Sequence, residues 1–123
     1  MHELAVCQGL LHQVEDIARR ERAVSVDLIR LRVGPLSGVV PELLSQAFEI
    51  ARAGTIAERA ELVIEELPVK IRCTLCGAES EAPPNRLLCT ACGDFRTRLL
   101  SGDELLLASV ELTRETEQAS AVQ

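Results

Sequence analysis

The chain is 123 residues long, 47% hydrophobic and formally −6 at neutral pH, with 13 Lys and Arg against 19 Asp and Glu. That length accommodates one domain, or one domain with a small satellite, and excludes a multi-domain enzyme; the apolar content excludes disorder throughout. The acidic balance, the absence of Trp and Tyr and the presence of only two Phe, Phe48 and Phe95, argue against a nucleic-acid partner, which calls for a basic grip on phosphate and aromatic stacking platforms.

Leu4, Cys7, Leu11, Val14 and Ala18, with Leu10 and Ile17 on the same stripe, recur at helical spacing and predict an amphipathic helix from Glu3 to Arg22. The apolar stretch Leu4 to Val14 is too short for a membrane span, and His2 and Glu3 precede it where an export signal carries Lys or Arg, so neither a signal peptide nor a transmembrane helix is expected. Val24, Val26 and Leu28 then alternate with polar residues, and Ile29, Leu31 and Val33 continue in the opposite phase, which predicts a strand with a bulge. Gly34-Pro35 breaks it. Val40, Leu43, Leu44, Ala47, Phe48 and Ala51 form a second helical stripe, with Pro41 in the first turn and Gly54 as a stop.

Leu62 to Leu67 reads as a second strand, and Pro68 marks an edge or a bend before Val69 and Ile71. Residues 73 to 98 hold four cysteines, Pro83-Pro84 and few periodic apolar positions, so something other than a core must hold them together. Leu105 to Leu112 reads as a last strand. The expected fold is α+β: a small sheet of about three strands covered by two helices, with an inserted four-cysteine satellite. The expected domains are 1–72 with 99–113, a ribbon over 73–98, and a flexible tail over 114–123.

Cys73-Thr-Leu-Cys76-Gly and Cys89-Thr-Ala-Cys92-Gly are two copies of one knuckle, separated by twelve residues. Two residues between cysteines let both sulfurs face one ion, and Gly77 and Gly93 let the backbone turn past the second sulfur. The pairing predicts tetrahedral Zn(II), and four thiolates leave no open position, so the expected role is structural. The alternative, a redox pair in each knuckle, needs a free thiol of low pKa and normally opens a helix. Four thiolates and one divalent ion add −4 and +2, taking the formal charge from −6 to −8 and favouring protein partners. Cysteines used this way point to a reducing, cytoplasmic setting. Cys7 lies on the apolar stripe and reads as a buried small hydrophobe, and His12 as a solvated surface residue.

The chain opens Met1-His2-Glu3. A free α-amine, the amide nitrogen between residues 1 and 2 and the His2 imidazole can close two adjacent chelate rings around one ion, with Glu3 completing the set through its backbone nitrogen or carboxylate. Tetragonal nitrogen and oxygen donors suit Ni(II) or Cu(II). Such binding fades as pH falls through the ordinary imidazole range, because the donors must be deprotonated.

This opening and the paired knuckles, together with Val33-Gly34, Pro41-Glu42, Ala47-Phe48-Glu49 and Gly102-Asp103-Glu104, resemble the HypA/HybF family of hydrogenase maturation nickel chaperones over nearly the whole chain. The resemblance implies Ni(II) carried on Met1, His2 and Glu3, and structural Zn(II) on Cys73, Cys76, Cys89 and Cys92. It further implies delivery to the [NiFe]-hydrogenase large subunit with the accessory GTPase HypB, some members also serving urease maturation proteins. In some members an acidic residue at the start of the second helix approaches nickel; here position 40 is Val and Glu42 is the nearest acid. The resemblance makes the protein a carrier and not an enzyme. The competing reading is a zinc-ribbon adaptor that binds a protein partner without carrying nickel.

Overall fold

The computed structural model describes residues 2–114, with only the backbone described at His2. The fold is α+β. Helix α1 (His2–Arg20) is followed by β1 (Ala23–Val33), α2 (Pro41–Ala51), β2 (Glu61–Glu66), β3 (Lys70–Cys73), β4 (Glu79–Glu81), β5 (Thr97–Ser101) and β6 (Leu105–Arg114). The strands form two three-stranded sheets, ordered β2-β1-β6 and β4-β3-β5. The first is the sheet expected from the apolar patterning. The second is an addition: β4 and β5 lie within and just after the cysteine segment, where no strand is expected from the sequence.

α1 begins with Glu3 in its first turn and closes with Arg19 and Arg20, charges that complement the helix dipole at both ends. It stops two residues short of the expected Arg22, because Arg22 takes a left-handed φ of 56° and turns its N–H back to the Arg19 carbonyl. Cys7, Leu10, Leu11, Val14 and Ala18 form its buried stripe, while His12 is 85% exposed at the side chain, as expected of a solvated residue. In β1 the buried positions pass from Val26 to Ile29, Leu31 and Val33, so the predicted change of phase is present.

Pro41 starts α2 with its fixed φ, and Leu44, Ala47 and Phe48 are its buried residues. The helix ends at Ala51, before Gly54: Arg52 caps it by donating its N–H to the Phe48 carbonyl, and the Arg52 carbonyl then accepts from the Thr55 N–H in the turn that follows. The Arg52 guanidinium lies over the Phe48 ring and donates to the Ala60 carbonyl at 2.8 Å. Gly54 then takes a positive φ of 74° in the loop that follows. No helix among the described residues is long and apolar enough to cross a membrane.

The chain divides into two compact units. Among the described residues, one gathers those up to Leu31, Val40–Ile64 and Leu107 to Arg114; the other gathers Arg32–Val39 and Glu65–Leu106. The first unit holds most of the aliphatic core, with α1 packed on α2 and the Cys7 thiol directed at the Leu44 carbonyl, 3.5 Å away. The second buries Val33, Val39, Val69 and Ile71, together with Cys73 and Cys89, and its aliphatic core is correspondingly thin. Its two loops cross at glycines. Gly34 donates to the Glu104 carbonyl at 2.8 Å and Leu36 to the Gly102 carbonyl at 2.7 Å. A methyl group at Gly34 would overlap the Gly102 carbonyl, and Gly102, at φ 121°, lies against Val69. Of the tail expected over 114–123, Arg114 is the last residue of β6 and the rest lies outside the described residues.

Candidate metal centre

Each knuckle is built by the same local bonds. Cys73 ends β3, and its N–H donates to the Ala78 carbonyl while its own carbonyl accepts from Gly77, which turns at φ 78°. The N–H groups of Leu75 and Cys76 then point at Cys73 Sγ, at 3.4 and 3.5 Å. The second knuckle repeats this: Gly93, at φ 77°, donates to the Cys89 carbonyl, and the N–H groups of Ala91 and Cys92 point at Cys89 Sγ, both at 3.4 Å. In both copies the first cysteine is buried and the second exposed.

The four sulfurs converge, all within 4.8 Å of one another. Cys73 and Cys92 stand 3.6 Å apart, as do Cys76 and Cys89, and none is in a disulfide. Sulfurs held about 2.3 Å from a tetrahedral ion lie about 3.8 Å from one another, so this cluster has the size and donor chemistry of a four-thiolate zinc site.

The electrostatics divide the sulfurs as the geometry does. The Cys92 N–H, outweighing desolvation and joined by the Ala91 N–H, pulls Cys89 down to about 6, and the Cys76 N–H lowers Cys73 in the same way. Cys92 receives the Asp94 N–H, which lowers it, but the neighbouring Cys73 thiol, desolvation and the Cys89 thiol outweigh that and push it up to about 12. Cys76 is also raised: the Ala78 N–H lowers it, and the Cys89 thiol, desolvation and the Cys73 thiol prevail. Sulfurs this crowded cannot all ionise without a cation among them.

Side chains that the sequence does not mark hold the two knuckles in place. Thr74 donates both its N–H and its hydroxyl to the Arg96 carbonyl, at 2.9 and 2.8 Å, tying the first knuckle to the residue just before β5. Thr97 reaches the Leu87 carbonyl at 3.0 Å. Asp94 accepts two bonds from the Arg96 guanidinium and one from its N–H, which holds its carboxyl below the usual range. Thr and Arg at such positions carry no spacing signal of their own, so only the folded geometry reveals them.

The amino-terminal group is described in part. Met1 lies outside the described residues, His2 is the first residue of α1, and Glu3 is buried at 8% exposure. Among the described residues the four cysteines are the only group of three or more potential ligands gathered in this way.

The family described as hydrogenase/urease nickel incorporation, metallochaperone, HypA, matches residues 1–112. A hydrogenase maturation factor HypA from Nitrosospira multiformis is 48% identical over 112 residues, covering 91% of this chain and 97% of that one. The factor of the same name from Aquifex aeolicus is 45% identical, covering 91% of this chain and 97% of that one. The solution structure of the Ni metallochaperone HypA from Helicobacter pylori shares the fold, with a TM-score of 0.67 at 23% identity over 92% of this chain and 98% of that one. A second HypA solution structure reaches 0.71 at 25% identity, covering 94% and 98%. With relatives this similar along nearly their entire length, the chain belongs to the HypA family of hydrogenase and urease nickel metallochaperones.

Proposed function

We propose that the protein carries Ni(II) on Met1, His2 and Glu3 and delivers it to the [NiFe]-hydrogenase large subunit, working with the accessory GTPase HypB, with urease maturation as a second destination. The family match over residues 1–112 carries this reading. The protein acts in the cytoplasm as a carrier and not as a catalyst. Zn(II) on Cys73, Cys76, Cys89 and Cys92 is structural, since four thiolates fill a tetrahedral ion and leave no position for a substrate.

The start of α1 suits a backbone nickel site. The first N–H groups of a helix have no acceptor within it, so a metal that displaces the His2 amide proton breaks no helical hydrogen bond. Because Glu3 is buried, we assign its contribution to its backbone nitrogen. A site at a chain end can surrender its ion to a receiving pocket without unfolding the core. Preference for nickel over copper must come from metal supply and partner docking, because Cu(II) binds more tightly to any such donor set.

The test is a Ni(II) titration of zinc-loaded protein beginning at Met1, beside His2→Ala and beside a version extended by one residue. Tight one-to-one binding that is lost in both controls is the expected result. Binding unchanged in both would move nickel elsewhere and return the protein to the zinc-ribbon adaptor class.

A further inference from the structure

Arg72 on β3 and Arg98 on β5 are direct cross-strand partners, so their side chains leave the same face of the sheet about 5 Å apart at Cβ. Like charges in that position oppose strand pairing. Arg72 is matched on its other side by Glu79 of β4, and Lys70 stands opposite Glu81. Arg98 is exposed and has no acidic partner among the described residues. The face is therefore acidic along β4 and carries an uncompensated cation at β5, in a chain whose net charge is −6.

β5 is an edge strand, and its register slips beside Arg98. Ile71 pairs with Leu99 but Lys70 with Ser101, so Leu100 is the extra residue of a bulge. Leu100 is 40% exposed and, with Lys70, Glu79, Ser80 and Glu81, lines an open cavity of about 180 Å³. An aliphatic side chain fits there.

We propose that this face docks a short extended segment of a partner protein, one carboxylate of which bridges Arg72 and Arg98 while an aliphatic side chain two residues along, on the same side of the segment, enters the cavity beside Leu100. Arg98 offers a carboxylate its whole guanidinium, and Arg72, whose Nε and Nη2 are given to Glu79, adds its remaining Nη1 from the other side. Glu79 and Glu81 repel acidic groups from the far side and so fix which way the segment lies. The protein's overall negative charge disfavours a polyphosphate in the same place. The proposal does not depend on where nickel binds.

The test uses zinc-loaded, ¹⁵N-labelled full-length protein and an end-capped hexapeptide Ser-Glu-Ser-Val-Ser-Glu, whose glutamates and valine share one side when extended, compared with one in which glutamine replaces glutamate. Saturable amide shifts at Lys70, Arg72 and Arg98 to Leu100 are expected with the first peptide, with about tenfold weaker binding of the second. Arg98→Glu and Arg98→Gln should each weaken binding about tenfold. Arg98→Glu places a carboxylate opposite Arg72, so it should also melt higher than the parent, which separates a lost site from a lost fold. The proposal fails if both peptides bind equally or if Arg98→Glu melts lower. It fails equally if inorganic phosphate at the same concentration shifts the same amides, or if those amides shift on concentrating the protein alone, the sign of a second copy covering this face.

Discussion

Cys7 is fully buried in α1, and that burial, with the Glu3 charge as a lesser cause, pushes its thiol up. A thiol whose folded pKa is raised contributes stability that is fully present below its unfolded value near 8.5 and is lost as pH rises towards the folded value. Melting temperature should therefore fall more steeply above about pH 8.5 in the parent than in Cys7→Ala, which itself costs about 1 kcal/mol at neutral pH. Parallel slopes would show that another group is responsible. Asp94 works in the opposite sense: its lowered carboxyl gives stability present above about pH 4 and lost as acid titrates the folded group. Ser80 gives a simpler case, because its hydroxyl oxygen is buried without a hydrogen-bond partner on the residue paired with Ile71. Ser80→Ala removes that orphaned group and should raise stability by about 1 kcal/mol in denaturant unfolding. A loss of stability instead would mean that a water or another group satisfies the hydroxyl.

The loops at Gly34 and Gly102 are each short, and each is built against the backbone of the other. Gly34→Ala should cost at least about 2 kcal/mol in equilibrium unfolding, because the added methyl meets a carbonyl and cannot be relieved by a side-chain rotation. The helices and β1 are legible in the sequence because their apolar residues repeat over three or more turns or alternations. β4 is not: Glu79-Ser80-Glu81 is three polar residues long, and its existence depends on β3 lying beside it. β5 is hidden for another reason, since the bulge at Leu100 interrupts the alternation that would mark it. The place of β6 beside β1 is a pairing across more than seventy residues, which local pattern does not encode. The convergence of the cysteines is legible, because two knuckles with the same spacing imply a shared centre, whereas the Thr74 and Thr97 ties to the backbone are not.

Across the whole molecule the two units differ in what holds them. The first has a continuous aliphatic core, while the second buries few aliphatic residues and adds two of the four clustered cysteines. Removing a bound ion with a strong chelator should therefore raise amide exchange and proteolysis from Cys73 to Thr97 while leaving α1 and α2 protected. Cys76→Ser should give the same local loosening with reduced metal content. Equal protection with and without metal would mean that the short sheet is sufficient by itself. The two halves of each knuckle give the cluster a front and a back. Cys73 and Cys89 are sunk behind paired N–H groups, and Cys76 and Cys92 face water. A chelator, an acid or an oxidant would therefore meet Cys76 and Cys92 before Cys73 and Cys89. Were an ion held by all four sulfurs, loss of those two contacts would still leave Cys73 and Cys89, one sulfur from each knuckle, to tie the two knuckles together.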